Sequence, residues 1–195
     1  MDIIVATHNE NKVKEIKKIV TNTNINLISL NDLGDHTEVE ETGLSFAENA
    51  QIKAKYYFEK YHKPVFADDS GLVIPGFDNK PGIYSARYAG INATDLENNQ
   101  KLLNDIKSLK DRKAYFVCHI CYINQGKVYF FEGRLDGIIA YDIKGSEGFG
   151  YDPIFILANG KRLSEIPIEE KNKISHRAKA IQKWLAFIKD GGNND

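Results

Sequence analysis

No run of this chain approaches the roughly 18 consecutive apolar residues of a membrane span, and its N-terminus enters a strand without the pattern of a signal peptide. A cytoplasmic protein with no membrane partner is therefore expected. Neither sign of charge is in excess: 26 basic residues face 27 acidic ones, so no global field draws the chain to nucleic acid or anionic lipid. No nucleic-acid partner is expected, and any polyanion site has to be local. Cysteine is scarce. The only two, Cys118 and Cys121, have the C-x-x-C spacing of a redox pair or half a zinc site. They lie in Tyr115 to Ile123, which reads as a strand and turns them to opposite faces. With no second ligand pair elsewhere, they read as structural thiols. No internal repeat or low-complexity linker occurs, and 195 residues fit one domain, in one lobe or two.

The conspicuous feature is Val65 to Ile74, an apolar strand interrupted by Asp68, Asp69 and Ser70. Burying an ionised carboxylate without a partner costs several kcal/mol, on the order of the stability of a whole domain. A cation or basic side chain is therefore expected beside it. In a regular strand the two aspartates point to opposite faces, so only one easily enters a given site and the other orders a basic neighbour.

The rest of the chain offers candidates for that cation. Asp2 to Ala6 reads as a strand, and Val13, Ile16, Ile19 and Val20 recur at helical spacing after a turn capped by Asn9. Such a turn, with Lys12, suits an anion such as phosphate, although an ordinary capped helix shows the same pattern. Ile25 to Leu30 reads as a second strand, followed by an acidic loop over residues 31–42. Ser45 and Glu48 have the spacing of a capping box and open a helix whose buried stripe is Phe46, Ala50, Ala54, Tyr57, Phe58 and Tyr61. Lys53 falls on or beside that stripe, where it either snorkels outward or reaches a buried negative charge.

After Ile74 a loop carries Ile83 to Tyr88, and Thr94 and Glu97 cap a helix with Leu102, Leu103, Ile106 and Leu109 inward. Gln125-Gly126 joins the cysteine strand to Lys127 to Glu132 as a hairpin, and Leu135 to Tyr141 reads as a third antiparallel strand. The glycine cluster Gly145 to Pro153 matches neither the dinucleotide fingerprint nor a Walker loop. It leads into a strand, Ile154 to Ile156, and is either a plain turn or backbone that approaches a ligand closely, with Phe149 as an exposed aromatic able to stack on a base. Ser175-His176-Arg177 opens the last helix, whose apolar face is Ala178, Ile181, Leu185 and Ile188. Residues 191–195 are expected to be a disordered tail.

Taken in order, several of these segments form a pattern. Thr7-x-Asn9-x-x-Lys12, Glu41-Thr42-Gly43, Ser45-Phe46-x-Glu48-Asn49-Ala50 with Lys53, Ala67-Asp68-Asp69-Ser70-Gly71, Pro81 to Arg87, Gly148 to Pro153 and Ser175-His176-Arg177 closely resemble the inosine triphosphate pyrophosphatase family, the noncanonical purine NTP pyrophosphatases. The resemblance covers nearly the whole chain. It implies an α/β fold with a long mixed β-sheet flanked by helices, in a single two-lobed domain over residues 1–190 with a nucleotide-binding cleft between the lobes. It also implies a homodimer and Mg²⁺-dependent hydrolysis of ITP, dITP or XTP to the monophosphate and pyrophosphate, which clears these nucleotides before incorporation into nucleic acid.

Carried over by residue, Asp69 is implied as the catalytic carboxylate and Ser70 as a substrate contact. Thr7, His8, Asn9, Glu10, Asn11 and Lys12 are the loop holding the phosphates. Lys53, Phe149, Gly150, Tyr151, Asp152, Lys171, His176 and Arg177 complete the substrate contacts. Mg²⁺ needs only one or two protein carboxylates, for which Glu41 and Asp69 are chosen, with Asp68 and Glu40 in reserve. The chain departs from the family pattern at His8, where many relatives carry a small residue, often glycine; histidine tolerates a left-handed backbone better than most, which leaves the turn's survival and its exact shape open. A Maf-like pyrophosphatase of other base preference and a non-catalytic nucleotide sensor are the competing readings.

Overall fold

The computed structural model describes residues 1–21 and 23–192, and these divide into two compact units. The first comprises residues 1–69, 118–133 and the chain from Arg177 onward. Its strands are β1 (Asp2–Val5), β2 (Asn26–Ser29) and the adjoining parts of β3 (Val65–Ile74), β5 (Lys113–Asn124) and β6 (Lys127–Ile139), in the order β2-β1-β3-β5-β6. β1 pairs in parallel with both β2 and β3. Alternation along each strand builds two apolar layers. Ile3, Val5, Phe66, Cys118, Ile120 and Tyr122 pack with Ile16 and Val20 of α1 (Glu10–Val20) and with Ala180, Ile181 and Trp184 of α5 (His176–Lys189). Ile4, Ala6, Val65, Ala67, Cys121 and Ile123 instead pack with Ala50, Ala54 and Tyr57 of α2 (Phe46–Tyr61). Helices therefore cover both faces. The two cysteines fall in different layers as free buried thiols, and burial pushes the Cys121 thiol up to about 12.

The second unit comprises Ser70–Val117 and Arg134–His176. Here the remaining parts of β3, β5 and β6 carry β4 (Lys80–Pro81) antiparallel to β3 and β7 (Phe155–Ile156) antiparallel to β6. Leu72, Ile74, Phe116, Leu135, Ile139 and Phe155 form a core with Leu102 of α3 (Asp95–Asp105) and the following Ile106. Thr94 and Glu97 close a full capping box on α3. The chain is thus a mixed α/β protein with a mixed sheet flanked by helices.

Five local expectations need correction. β6 is one strand from Lys127 to Ile139 rather than a hairpin arm followed by a separate strand. Gly133 and Gly137 lie inside it, and Gly137 is needed because a Cβ there would meet Ile156 O and the Phe155 ring at 2.5 Å. Residues 83–87 form a 3₁₀ turn within Gly82–Arg87. The strand expected at Ile154 begins only at Phe155, because Asp152–Ile154 forms another 3₁₀ turn. A short helix, α4 (Ile168–Ile174), was not foreseen; its one buried residue is Lys171, so it shows no apolar stripe. At the C-terminus Gly191 and Gly192 are not frayed: their amides donate to Ile188 and Phe187 carbonyls. Residues 193–195 of the expected tail lie outside the described residues.

Candidate active site

β1 ends in Thr7, whose hydroxyl accepts from Asn9 N at 3.2 Å, and Asn9 Oδ1 then caps α1 by accepting from Asn11 N and Lys12 N. This local chemistry fixes the turn. His8 is not among the residues with positive φ, so the turn makes no glycine-like demand on it. Its Nε2 lies 2.8 Å from Thr37 O, which also accepts from Tyr57 OH at 2.6 Å. Glu10 accepts from Asn31 Nδ2, and the side chains of His8, Asn9, Glu10 and Asn11 are exposed.

Lys12 reaches from the first turn of α1 to Asp68, Nζ to Oδ2, at 3.0 Å. Asp68 is also 3.4 Å from Nε of Arg177, whose Nη1 binds Glu15 Oε2 at 2.5 Å. All three of Asp68, Arg177 and Glu15 are buried. Burial alone would raise the Asp68 carboxyl, but Lys12, Arg177 and Lys53 outweigh it and hold the group well below its ordinary range. The expectation that Asp68 orders a basic neighbour therefore holds, with two such neighbours. Arg177, foreseen as a substrate contact, is committed to this buried network.

Asp69 faces the other way. Its Oδ2 accepts from Asn49 Nδ2 of α2 at 3.2 Å, and burial pushes its carboxyl up, opposed by Lys53 and Lys12 and reinforced by Glu41. Lys53 Nζ donates to Glu41 Oε1 at 2.6 Å and to Asp68 O at 2.8 Å. Although burial works against its charge, Asp69, Glu41 and Asp68 raise its pKa. Lys53 thus reaches buried negative charge instead of snorkelling out. The acidic loop is fixed through Asn49, which sequence reasoning did not assign: its Oδ1 accepts from Gly43 N at 2.8 Å while its amide holds Asp69. A Cβ at Gly43 would lie 2.7 Å from Asn49 Oδ1, so this approach requires glycine. Glu41-Thr42-Gly43 and Glu48-Asn49 are therefore two halves of one contact. The Ser45 hydroxyl accepts from Glu48 N, but Glu48 reaches back to Leu44 N and not to the cap itself.

Among the described residues no group of three or more His, Cys, Asp or Glu side chains has metal-binding spacing. Glu41 and Asp69 nonetheless suit a hard cation that retains its waters, because Glu41 works against the Asp69 charge and a cation between them would relieve that repulsion.

In the second unit Phe149 is half-buried, not exposed, and Lys171 Nζ lies 4.7 Å from its ring centroid. Lys171 is itself buried and donates to Asp152 Oδ2 at 2.6 Å, while the same carboxylate accepts from Phe149 N. Gly148 has φ +80°, and a side chain there would collide with Asp152 Oδ2. Gly150 is held by its neighbours: its amide donates to Asp95 Oδ2 and its carbonyl accepts from Asn99. Tyr151 is turned into the core, donating to Ser85 O, so only its backbone is available to a ligand. His176 is buried against Phe116, ring centroids 4.9 Å apart and 14° from parallel. Ser70 is half-buried on β3.

A capped turn at the start of α1, a lysine-laced carboxylate pair and an aromatic-lysine loop in this chain order narrow the family sharply, and the model of the Ham1 family matches residues 3–187. The chain belongs to the Ham1 family. A dITP/XTP pyrophosphatase of Thermoanaerobacter sp. (strain X514) is 46% identical over 191 residues, which is 96% of each protein. That of Listeria monocytogenes serotype 4b (strain F2365) is 45% identical over 185 residues, 93% of this chain and 91% of its own. Among solved structures, the Staphylococcus aureus Ham1 protein superposes with a TM-score of 0.89 at 39% identity, covering 98% of this chain and 100% of its own. A HAM1 protein from Coxiella burnetii gives 0.90 at 35% identity, covering 97% and 99%. The Ham1 relationship thus spans both units.

Proposed function

We propose that this Ham1 protein hydrolyses dITP, XTP and ITP to the nucleoside monophosphate and pyrophosphate, with Asp69 as the base. One observation carries the reading: a buried carboxylate raised above its ordinary pKa sits beside Lys53 and Glu41 and within the field of Lys12. A base with raised pKa is better matched to deprotonating water near neutral pH than an ordinary aspartate. Water attacks the α-phosphorus in line, its proton passes to Asp69, and the bond to the bridging oxygen breaks as pyrophosphate leaves. Lys12, Lys53 and the positive N-terminal end of α1 offset the charge of the phosphates. Bound Mg²⁺, held by Glu41 and Asp69, would supply Lewis-acid stabilisation of phosphoryl oxygens.

In the same proposal Phe149 stacks on the purine, fixed by Lys171 and Asp152, and His176 contributes to base contacts. Arg177 acts through Asp68, which keeps Lys12 aimed. Hypoxanthine and xanthine carry an acceptor oxygen at C6 where adenine carries an amino donor, so a fixed donor rejects ATP. A homodimer is part of the proposal and is read by sedimentation equilibrium. The activity is tested by pyrophosphate release from ITP, XTP, dITP, GTP and ATP, with and without Mg²⁺. Equal rates on all would refute base selection; binding without pyrophosphate release would favour a sensor.

A further inference from the structure

Arg112 precedes β5 and is 4% exposed, yet no carboxylate pairs with it among the described residues. Its Nε donates to Ile139 O at 2.9 Å, Nη1 to Ile106 O at 2.7 Å and Nη2 to Ala140 O at 2.5 Å. A guanidinium has five N–H groups, so one on each Nη nitrogen is left without a protein acceptor. Carbonyl dipoles do not cancel a full charge, and a buried cation without a counter-ion is costly.

Arg112 lines a cavity of about 340 Å³ within the second unit. Four basic side chains, Lys110, Arg112, Lys113 and Arg162, line it against two acidic ones, Asp111 and Asp142. Arg162 pairs with Asp142 through Nη2, but its Nε is buried with no partner among the described residues, and the residue is 9% exposed. Tyr141 lies over the Arg112 guanidinium, 4.3 Å from ring centroid to Cζ, and is itself 77% exposed. The cavity therefore combines unspent donors, excess positive charge and an open aromatic face.

We propose that this cavity is a binding site for a phosphate-class oxyanion, distinct from the carboxylate-lysine site. The two remaining N–H groups of Arg112 match the bidentate geometry of phosphate oxygens. Arg162 Nε–H and the ammonium groups of Lys110 and Lys113 provide more donors than the two oxygens of a carboxylate accept, which favours a tetrahedral dianion. The anion is either free phosphate or the phosphate of a nucleoside monophosphate, whose base would rest on Tyr141.

The inference stands apart from the catalytic proposal and is tested without turnover. In the full chain, labelled with ¹⁵N, inorganic phosphate and IMP are titrated at constant ionic strength, and backbone amide shifts of residues 111–113 and 139–142 are followed. The expected result is saturable shifts there with a dissociation constant on the order of 1 mM. A Lys110→Glu/Lys113→Glu variant, changed only at exposed side chains, should bind about tenfold more weakly with an unchanged melting temperature. If IMP binds these amides more tightly than phosphate and Tyr141→Ala abolishes that margin, the ligand is the monophosphate. If the two bind alike and Tyr141→Ala changes nothing, it is free phosphate. Shifts that fail to saturate, that survive the charge reversal, or that follow protein concentration without added phosphate would overturn the proposal; the last would mean that a second copy covers the cavity.

Discussion

Asp68 and Asp69 are consecutive on β3, yet one carboxyl is held well below its ordinary range and the other is pushed above it. The strand period turns Asp68 toward Lys12 and Arg177 and turns Asp69 toward Asn49 of α2. Adjacent residues of the same type thus sit in opposite electrostatic environments.

Substitution should separate them. Asp69→Asn removes the proposed base and a carboxylate whose ionisation the fold disfavours. Turnover should drop by about 10²-fold to 10⁴-fold while stability stays within about 1 kcal/mol of the parent. Asp68→Asn leaves Arg177 and Lys12 without their shared counter-charge and should cost about 3–5 kcal/mol. Urea midpoints and pyrophosphate release measure both, and normal turnover by a folded Asp69→Asn protein would refute the assignment.

Asn49 joins Gly43 N to Asp69 with one amide group. Asn49→Leu keeps the volume but removes both hydrogen bonds, leaving a part-buried N–H on Gly43 and a less restrained Glu41 loop. The expected loss is about 2–3 kcal/mol of stability, with a higher Mg²⁺ requirement for half-maximal rate. A variant with unchanged Mg²⁺ dependence would show that the loop is positioned by other contacts.

Asp35 anchors the same loop from its far end. Lys60 Nζ and Tyr61 OH donate to Oδ2 at 2.8 and 2.6 Å, Thr37 N donates to Oδ1, and together they hold its carboxyl well below the ordinary value of 3.8. A depressed folded-state pKa means that the stabilisation is fully present above the unfolded value and is lost as pH falls below it. The gap in stability between the parent and Asp35→Asn should therefore be constant at neutral pH and close below about pH 4. Denaturant titrations at stepped pH read this directly; a gap that widens on acidification would contradict the assignment.

Local chemistry was readable from the sequence, and contacts made at a distance were not. Asn9 and the Thr94-Glu97 pair announce their helices because capping uses residues within one turn. The alternation that separates Asp68 from Asp69 is equally local. Asn49, present in the family pattern, was given no role because a single buried amide in a helix leaves no periodic trace. Glu15, the partner of Arg177, lies 162 residues away in the chain. β6 runs unbroken from Lys127 to Ile139, through the gap expected between Glu132 and Leu135, because the length of a strand is decided by its pairing with distant segments and not by the residues within it.

Gly148 tests the second group of residues. Its φ of +80° disfavours any side chain, and a methyl there would strike the carboxylate that holds Lys171 and Phe149 N. Gly148→Ala should cost about 1–2 kcal/mol in backbone strain and displace Asp152. If Phe149 and Lys171 contact the base, KM for ITP should rise by about tenfold with kcat less affected. A loss confined to kcat would place this loop in the chemical step instead.

His8 sits between Thr7 and Asn9 in the proposed phosphate turn, but its ring points its hydrogen-bonding atom at Thr37 O, 2.8 Å away, in the loop that leads to Glu41. Against a carbonyl oxygen the Nε2–H group is the donor, which ties the turn to this loop. Because His8 has no positive φ, replacing it with alanine leaves the turn intact and removes only the tether. The lost hydrogen bond is partly exposed and worth about 1 kcal/mol, and Tyr57 OH still holds Thr37. His8→Ala should therefore retain the turn and raise KM by no more than about fivefold. His8→Gly adds backbone freedom to the same loss and should be the weaker enzyme. A rise in KM of about a hundredfold or more in His8→Ala would mean that the imidazole contacts the phosphates themselves, so the size of the KM change decides between tether and ligand.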